Sequence, residues 1–181
     1  MKVKELTLHN FKCFEYLKIN FNDDYTVLVG INGSGKSTIL EGISVALGTY
    51  LGGFSDLKST PLSIDHVRIK SVKNGSVFSS ERQFDSSVNI LVEDPDNYTY
   101  ERGRIKRKSS GPSAMITPQS ILDYAEKLYI GKLKGDNSVV LPVLAYFGTN
   151  RLYNSKDKSK ESKSISGNGG IFSSSVFLQK S

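Results

Sequence analysis

The chain has 181 residues, 38% of them apolar, which is enough for a buried core, and its longest apolar run, residues 139–147, is too short to cross a bilayer. Its single cysteine, Cys13, cannot close an internal disulfide, and the opening Met1-Lys2-Val3-Lys4-Glu5 leads into an alternating strand with no apolar secretory segment, so a reducing, cytoplasmic setting is expected. The net charge of +6 is unevenly spread: residues 1–100 carry ten Lys/Arg against twelve Asp/Glu, whereas residues 101–181 carry fourteen against six. A basic second half suits a polyanion such as DNA or RNA, and equally a solvated tail.

Residues 2–8 alternate, with Leu6 and Leu8 on one face, and predict a half-buried strand. Residues 15–21 predict a second strand, with Leu17, Ile19 and Phe21 on one side. The intervening His9-Asn10-Phe11-Lys12-Cys13-Phe14 reads as a turn. Asn22-Asp23-Asp24 then leads into Tyr25-Thr26-Val27-Leu28-Val29, a β-branched run predicted to be a strand.

Next comes Gly30-Ile31-Asn32-Gly33-Ser34-Gly35-Lys36-Ser37-Thr38, which satisfies the phosphate-loop (Walker A) pattern G-x-x-x-x-G-K-[ST] over residues 30–37. The chemistry accounts for the spacing. Backbone N–H groups from Asn32 to Lys36 must converge on an anion, which needs angles that Gly33 and Gly35 adopt without strain. A helix opening at Gly35 or Lys36 adds its unpaired N–H groups and the positive end of its dipole. Lys36 is the point charge for the β- and γ-phosphates, and the Ser37 hydroxyl is the magnesium ligand. Ile39, Ile43, Ala46 and Leu47 give that helix its apolar face, and the glycines from Gly48 onward are expected to end it.

A leading strand, an Asn-Phe-Lys-x-Phe turn, a second strand and then G-x-N-G-S-G-K-S-T resemble the ATPase head of the ABC superfamily branch that holds SMC, Rad50 and RecF proteins. The resemblance implies an α/β fold: a P-loop NTPase whose ABC-ATPase-like amino-terminal lobe carries a mixed or antiparallel β-subdomain. It implies ATP and Mg2+ as cofactors. It also places the basic residue of the turn, here Lys12, beside the nucleotide, with Phe11 and Phe14 packed beneath it. Gly30, Asn32, Gly33, Ser34, Gly35, Lys36, Ser37 and Thr38 complete the expected site.

After a loop across residues 55–64 come short β-like pieces at residues 66–72, 88–93 and 98–106, separated by the turn signals Asn74-Gly75 and Asp94-Pro95-Asp96-Asn97. Ile90-Leu91-Val92-Glu93-Asp94 imitates a magnesium-positioning acidic strand. The alternation of Val88, Ile90 and Val92 and the turn that follows favour a hairpin instead. Residues 101–108 are strongly basic, and Arg102, Arg104 and Lys106 would share a strand face, either as a phosphate-contacting strip or as a solvated edge.

Thr117-Pro118 predicts a helix start, with Ile121, Leu122, Ala125, Leu128 and Tyr129 as its apolar stripe and Gly131 as its end. Residues 139–147 predict a strand covered on both faces, irregular near Pro142. The run from Leu141 to Leu152 resembles the L-P-x-x-x-Y-[YF]-G-T-x-R-L segment of a bacterial ATP-binding family related to the Septu and retron-associated defence ATPases. His66-Val67-Arg68 and Tyr100-Glu101-Arg102 resemble further pieces of it. By that resemblance the loop 149–151 links the nucleotide core to a second lobe, with Asn150 where ABC ATPases carry a glutamine and Arg151 as an ion-pair partner.

Residues 1–153 are thus expected to form the ATP-binding lobe, with a β-rich insertion at about 66–108, and residues 154–181 a flexible Ser/Lys/Gly-rich segment. Within that segment, residues 165–169 echo a Leu-Ser-Gly-Gly-Gln signature without the helix or acidic strand that should follow it. The acidic strand, the water-activating glutamate and the signature of ABC-type hydrolysis are all missing. The chain therefore reads as the amino-terminal lobe of a longer ATPase. The family resemblance implies a homodimer or higher oligomer sandwiching ATP, antiphage defence, and an effector such as an HNH-type nuclease. Two further classes stay open: a self-contained small NTPase or kinase using Glu93 and Asp94, and a non-catalytic nucleic-acid module using residues 102–108. His9 and His66 read as isolated and structural.

Overall fold

A computed structural model describes residues 1–55, 57, 62–75, 77–93, 99–105, 119–142 and 144–148. The chain divides into two units, Met1–Val139 and Val140–Ser181. The first holds a four-stranded antiparallel sheet, a two-stranded hairpin and two helices.

The sheet follows from alternation in the sequence. β1 (Lys2–Phe11) pairs with β2 (Phe14–Asn20) on one side and β5 (Ser86–Glu93) on the other, and β6 (Thr99–Ile105) pairs with β5, giving the order β2-β1-β5-β6. Register places Leu6 opposite Ile90 and Leu8 opposite Val88, and all four side chains are buried. Each such residue contributes about 1.5–3 kcal/mol through burial. A slip of β5 by one residue would turn Val88 and Ile90 out to solvent while Leu6 and Leu8 stayed inside, so the apolar face fixes the pairing. β5 and β6 are antiparallel neighbours, the hairpin that the Val88/Ile90/Val92 alternation predicts.

Helix α1 (Lys36–Leu51) lies on the apolar face of the sheet. A Cβ on Gly42 would sit 2.8 Å from Leu8 Cδ2, so the missing side chain is what lets the helix approach. The helix ends at Leu51 with Gly52 as its cap, within the glycine-bearing stretch from Gly48 onward that the sequence predicts to end it, and Gly48, Thr49, Tyr50 and Leu51 are all buried. Tyr50 faces α2 (Gln119–Leu133), meeting Tyr124 with ring centroids 6.5 Å apart. Phe54, just beyond α1, packs edge-on to Tyr129 at 5.5 Å. In α2, Ile121 and Ala125 are buried as their spacing predicts. Gly131 does not end α2; the left-handed residue after the helix is Gly135, with φ +83°. Thr117 and Pro118 lie outside the described residues.

Between the two helices, a 3-10 turn η1 (Ile64–His66) leads into β3 (Ile69–Asn74) and β4 (Val77–Arg82), a hairpin turning at Gly75 with φ +63°. The sequence predicts the turn but not β4, whose Val77-Phe78-Ser79-Ser80-Glu81-Arg82 has too few apolar residues to alternate.

Two predicted strands are not observed. Residues 25–29 join no strand, and Tyr25, Val27 and Val29 are 77%, 69% and 89% exposed. The described residues at 139–147 join none either, and Val140 is 82% exposed. β-branched sequence favours the extended form only where another strand receives its N–H and C=O groups. Among the described residues neither segment is hydrogen-bonded into a sheet.

At the α1–α2 contact, a Cβ on Gly53 would come 2.7 Å from the Leu122 carbonyl oxygen and 3.1 Å from the Glu126 nitrogen, both backbone atoms that cannot rotate away. Gly53→Ala should therefore destabilise the fold by about 1–3 kcal/mol despite alanine's lower unfolded-state entropy. Urea denaturation checks this: the midpoint falls with the slope unchanged.

Candidate functional site

The glycine loop takes the backbone form that an anion cradle needs. Gly33 and Gly35 stand at φ +84° and +93°, and α1 starts directly after Gly35 with the Ile39 N–H donating to the Gly35 carbonyl at 3.0 Å. No acidic residue occupies the first turn of α1, so nothing offsets the positive end of its dipole. Lys36 folds back over the loop, its Nζ 2.7 Å from the Gly30 oxygen, 2.8 Å from the Ile31 oxygen and 3.5 Å from Ser34 Oγ. All three acceptors are neutral, and among the described residues Lys36 has no carboxylate partner. The charge is held in place but not compensated. Asn32, Gly33, Ser34 and Ser37 are exposed around it.

The tight β1–β2 turn forms the floor of the loop. A Cβ on Gly35 would run into the Phe14 ring and lie 3.1 Å from Cys13 Sγ, and the Cys13 thiol reaches Thr38 Oγ1 at 3.8 Å. Phe14 therefore lies against the loop, as expected. Phe11 instead stacks on His66, with centroids 5.3 Å apart and rings 5° from parallel. Lys12 takes a left-handed backbone with φ +48°, a form that non-glycine residues keep only when their surroundings enforce it. Here the enforcing bonds are Lys12 N–H to the His66 carbonyl at 2.7 Å and Arg68 N–H to the Asn10 carbonyl at 2.8 Å.

The Lys12 ammonium is bonded to Glu41 Oε2, on α1 one turn past the loop. Glu41 Oε1 lies 3.4 Å from His66 Nε2. The Ser63 N–H points at His66 Nδ1 from 2.9 Å, so that nitrogen must be the acceptor, and the ring proton sits on Nε2 facing Glu41. Burial pushes the His66 pKa below its usual value, although the Glu41 charge pulls the other way. Lys12 and Glu41 are each about one-third exposed, at 34% and 30%, so their pair orients side chains more than it stabilises the fold. Neither Glu41 nor the role of His66 was anticipated; a carboxylate five residues past the loop lysine was the available signal. His66 is thus buried in a cluster and not isolated, while His9 is structural, its Nδ1 bonded to the Asp85 carbonyl at 2.8 Å.

Sequence similarity agrees with this geometry. Residues 5–173 match the family model AAA_23, described as an AAA domain. The chain belongs to that AAA domain family. It is 25% identical over 158 residues to a Vibrio cholerae protein named "Retron Vc95 probable ATPase", covering 83% of this chain and 28% of that protein. It is 30% identical over 133 residues to the DNA double-strand break repair Rad50 ATPase of Pyrococcus abyssi, covering 71% and 14%. It is 42% identical over 43 residues to the DNA replication and repair protein RecF of Macrococcus caseolyticus, covering 24% and 12%. The AAA domain chain thus spans under a third of the length of these curated relatives. An SMC/RecF/Rad50-like ATPase head, retron ATPases included, is the resemblance that these matches share with the motif reading.

Of the remaining predicted groups, Glu93 is not brought to the loop. Glu93 binds Lys4 at 2.6 Å and pairs with Lys2, at the far end of β1 from the Phe11–Phe14 turn. A ten-residue strand is about 30 Å long, so Glu93 cannot serve an anion held at Gly35. Asp94, Lys106, Asn150 and Arg151 lie outside the described residues, as does the segment 165–169. A concavity of about 550 Å3 along α2 shares no residue with the loop; its lining of Asp123, Glu126, Lys127 and Lys134 is mixed in charge and converges on nothing. No helix among the described residues is long and apolar enough to cross a membrane.

Because the folded-state pKa of His66 is lowered, the AAA domain holds fewer protons at this position than the unfolded chain between the two pKa values. The His66 contribution to stability is complete above about pH 6.5 and is lost as pH falls through the lower, folded value. His66→Gln should flatten this fall: the wild-type loss in thermal midpoint between pH 7 and pH 5 should exceed that of the variant, measured in matched buffers.

Proposed function

We propose that the chain is the ATP-binding lobe of a RecF/SMC/Rad50-type ATPase. The observation that carries this reading is an uncompensated lysine over a cradle of left-handed glycines at the mouth of a helix without an acidic first turn. The residues present fit the group. Backbone N–H groups from Asn32 to Lys36 would hold the phosphates, and Lys36 would exchange two carbonyl oxygens for charged phosphate oxygens. Ser37, exposed in the first turn of α1, would hold Mg2+, whose charge neutralises the phosphates and orients them. Thr38 would sit below, tied to Cys13. Lys12, beside the second turn of α1, would be recruited from Glu41 toward the nucleotide.

The similarity to a protein named as a retron ATPase supports an antiphage setting. In that setting a second copy closes over ATP, and closure gates a nucleic-acid-acting effector of HNH-nuclease type in the cytoplasm. The exposed apolar residues Tyr25, Val27, Val29 and Ile31, immediately before the loop, support a lobe that needs further strands. Turnover would then wait on residues outside this chain's described part. The distance of Glu93 from the loop counts against a self-contained kinase.

The test is isothermal titration of Mg-ATP into the chain. Wild type should bind, and Lys36→Ala should weaken binding about 10- to 100-fold, the value of one charge-assisted contact of roughly 1.5–3 kcal/mol. Saturating Mg-ATP should also raise the thermal midpoint of wild type, and not that of the variant. A wild-type chain indifferent to millimolar Mg-ATP would overturn the nucleotide reading, and robust hydrolysis by the isolated chain would overturn its status as an incomplete lobe.

A further inference from the structure

The β3–β4 hairpin plays no part in the nucleotide reading, and its two faces differ sharply. In an antiparallel pair, directly opposed residues project to the same side. The pairs Ile69–Arg82, Ser71–Ser80 and Lys73–Phe78 therefore share one face, and Lys70–Glu81, Val72–Ser79 and Asn74–Val77 share the other. The second face is partly covered at Val72 and Ser79 and carries the hairpin's only carboxylate, Glu81. On the first face all six residues are exposed, including Ile69 at 57% and Phe78 at 71%.

The open face combines one aromatic ring, one aliphatic side chain, two hydroxyls and two cations, with no acid. Neither Lys73 nor Arg82 has an ion-pair partner among the described residues. Lys73 Nζ stands 5.7 Å from the Phe78 ring centroid, so the cation lies beside the ring that it accompanies. Three cross-strand pairs, each two residues further along, extend over about 13 Å. Small sheet platforms stack two or three unpaired bases over such a length.

We infer that this face of the hairpin is a binding platform for single-stranded nucleic acid, with Phe78 stacking a base and Lys73 and Arg82 holding the flanking phosphates. Charge complementarity selects a polyanion. The exposed ring selects one with accessible base faces, since a duplex offers its backbone to the cations and leaves Phe78 nothing to stack on. Ser71 and Ser80, between the two ends, supply donors to phosphate or sugar oxygens. This site lies in the half of the chain that is not basic overall, apart from the strip at residues 102–108. It is therefore a separate prediction from that strip.

Fluorescence anisotropy of the chain with a labelled twelve-nucleotide oligothymidine, without ATP, tests it independently of the nucleotide reading. Wild type should bind the single strand more tightly than a duplex of the same length. Phe78→Ala should weaken single-strand binding roughly tenfold, the effect of removing one stacked base. Lys73→Gln and Arg82→Gln should each reduce the slope of log affinity against log salt by about 0.7. Lys70→Gln, on the opposite face, should change the affinity less than Phe78→Ala. All four positions are exposed, so thermal midpoints should stay within a degree or two of wild type and certify that each variant is folded. Absence of binding would overturn the proposal. So would affinity insensitive to Phe78→Ala, a duplex preference, or loss confined to Arg102→Gln and Arg104→Gln, which would move the interface to the basic strip.

Discussion

The contact between Gly35 and the β1–β2 turn is the constraint on which the rest of the site depends. Gly35 must be glycine for two unrelated reasons: its φ of +93° and the Phe14 ring and Cys13 sulfur lying where a Cβ would go. The first reason belongs to the loop and the second to the sheet. Their coincidence at one residue means that the sheet sets the position of the loop, and that the anion cradle is not a flexible glycine linker. A turn displaced by one residue would leave the loop unsupported on its inner side. The two-residue connection between Phe11 and Phe14 is thus a part of the site, although neither aromatic residue carries a group that binds phosphate.

The same turn also ties the loop to the second half of the first unit. Lys12 and Asn10, the two non-glycine residues with positive φ among the described residues, exchange backbone hydrogen bonds with His66 and Arg68 at the root of the β3–β4 hairpin. Glu41 closes the circuit by meeting Lys12 and approaching His66 from α1. Loop, turn, helix and hairpin root therefore form a contiguous bonded cluster. Any ligand that draws Lys12 away from Glu41 must also change the surroundings of His66, a buried group whose proton is positioned by Ser63. This gives a physical route from the loop toward the hairpin, without requiring either to move as a body.

What was legible in the sequence was local. The glycine loop, the helix after it, the alternation of β1 and β5 and the stripe of α2 follow from φ preference and side-chain period, and the structure repeats them. Two kinds of feature were not legible. The helix end at Gly131 was misread because glycine has two uses, breaking a helix and letting another element approach, and only the packing partner distinguishes them. A Cβ on Gly131 would already meet Val139 Cγ2 at 3.1 Å, whereas Gly52 does cap α1. The runs at 25–29 and 139–147 were misread for the converse reason. Their composition is that of buried strands, but a strand is a relation between two segments. In the candidate site, Lys36 and the loop residues come from the motif, whereas Glu41 belongs to no pattern and the contact of His66 with it becomes visible only when α1 and η1 are brought together.

Charge compensation sorts the cations of this unit into two groups. Lys4 lies between Asp23 and Glu93, Lys18 on Glu5, Arg68 on Glu15 and Lys12 on Glu41. These pairs fix strand ends, an edge and a turn, and each cation is neutralised where it stands. Lys36, Lys73 and Arg82, like Lys2 and Lys70, have no ion-pair partner among the described residues. Lys36, Lys73 and Arg82 stand beside groups suited to an anionic ligand: left-handed glycines and a helix N-terminus for Lys36, an exposed ring and two hydroxyls for the hairpin pair. An exposed uncompensated charge costs the fold little in water, so stability alone would tolerate either arrangement. The segregation matters for binding, because an anion approaching Lys36 or the hairpin displaces no carboxylate, whereas one approaching Lys12 must compete with Glu41. On that ground, in the proposed nucleotide reading, the lysine of the loop would make the initial grip on an anion and the lysine of the turn would respond to it.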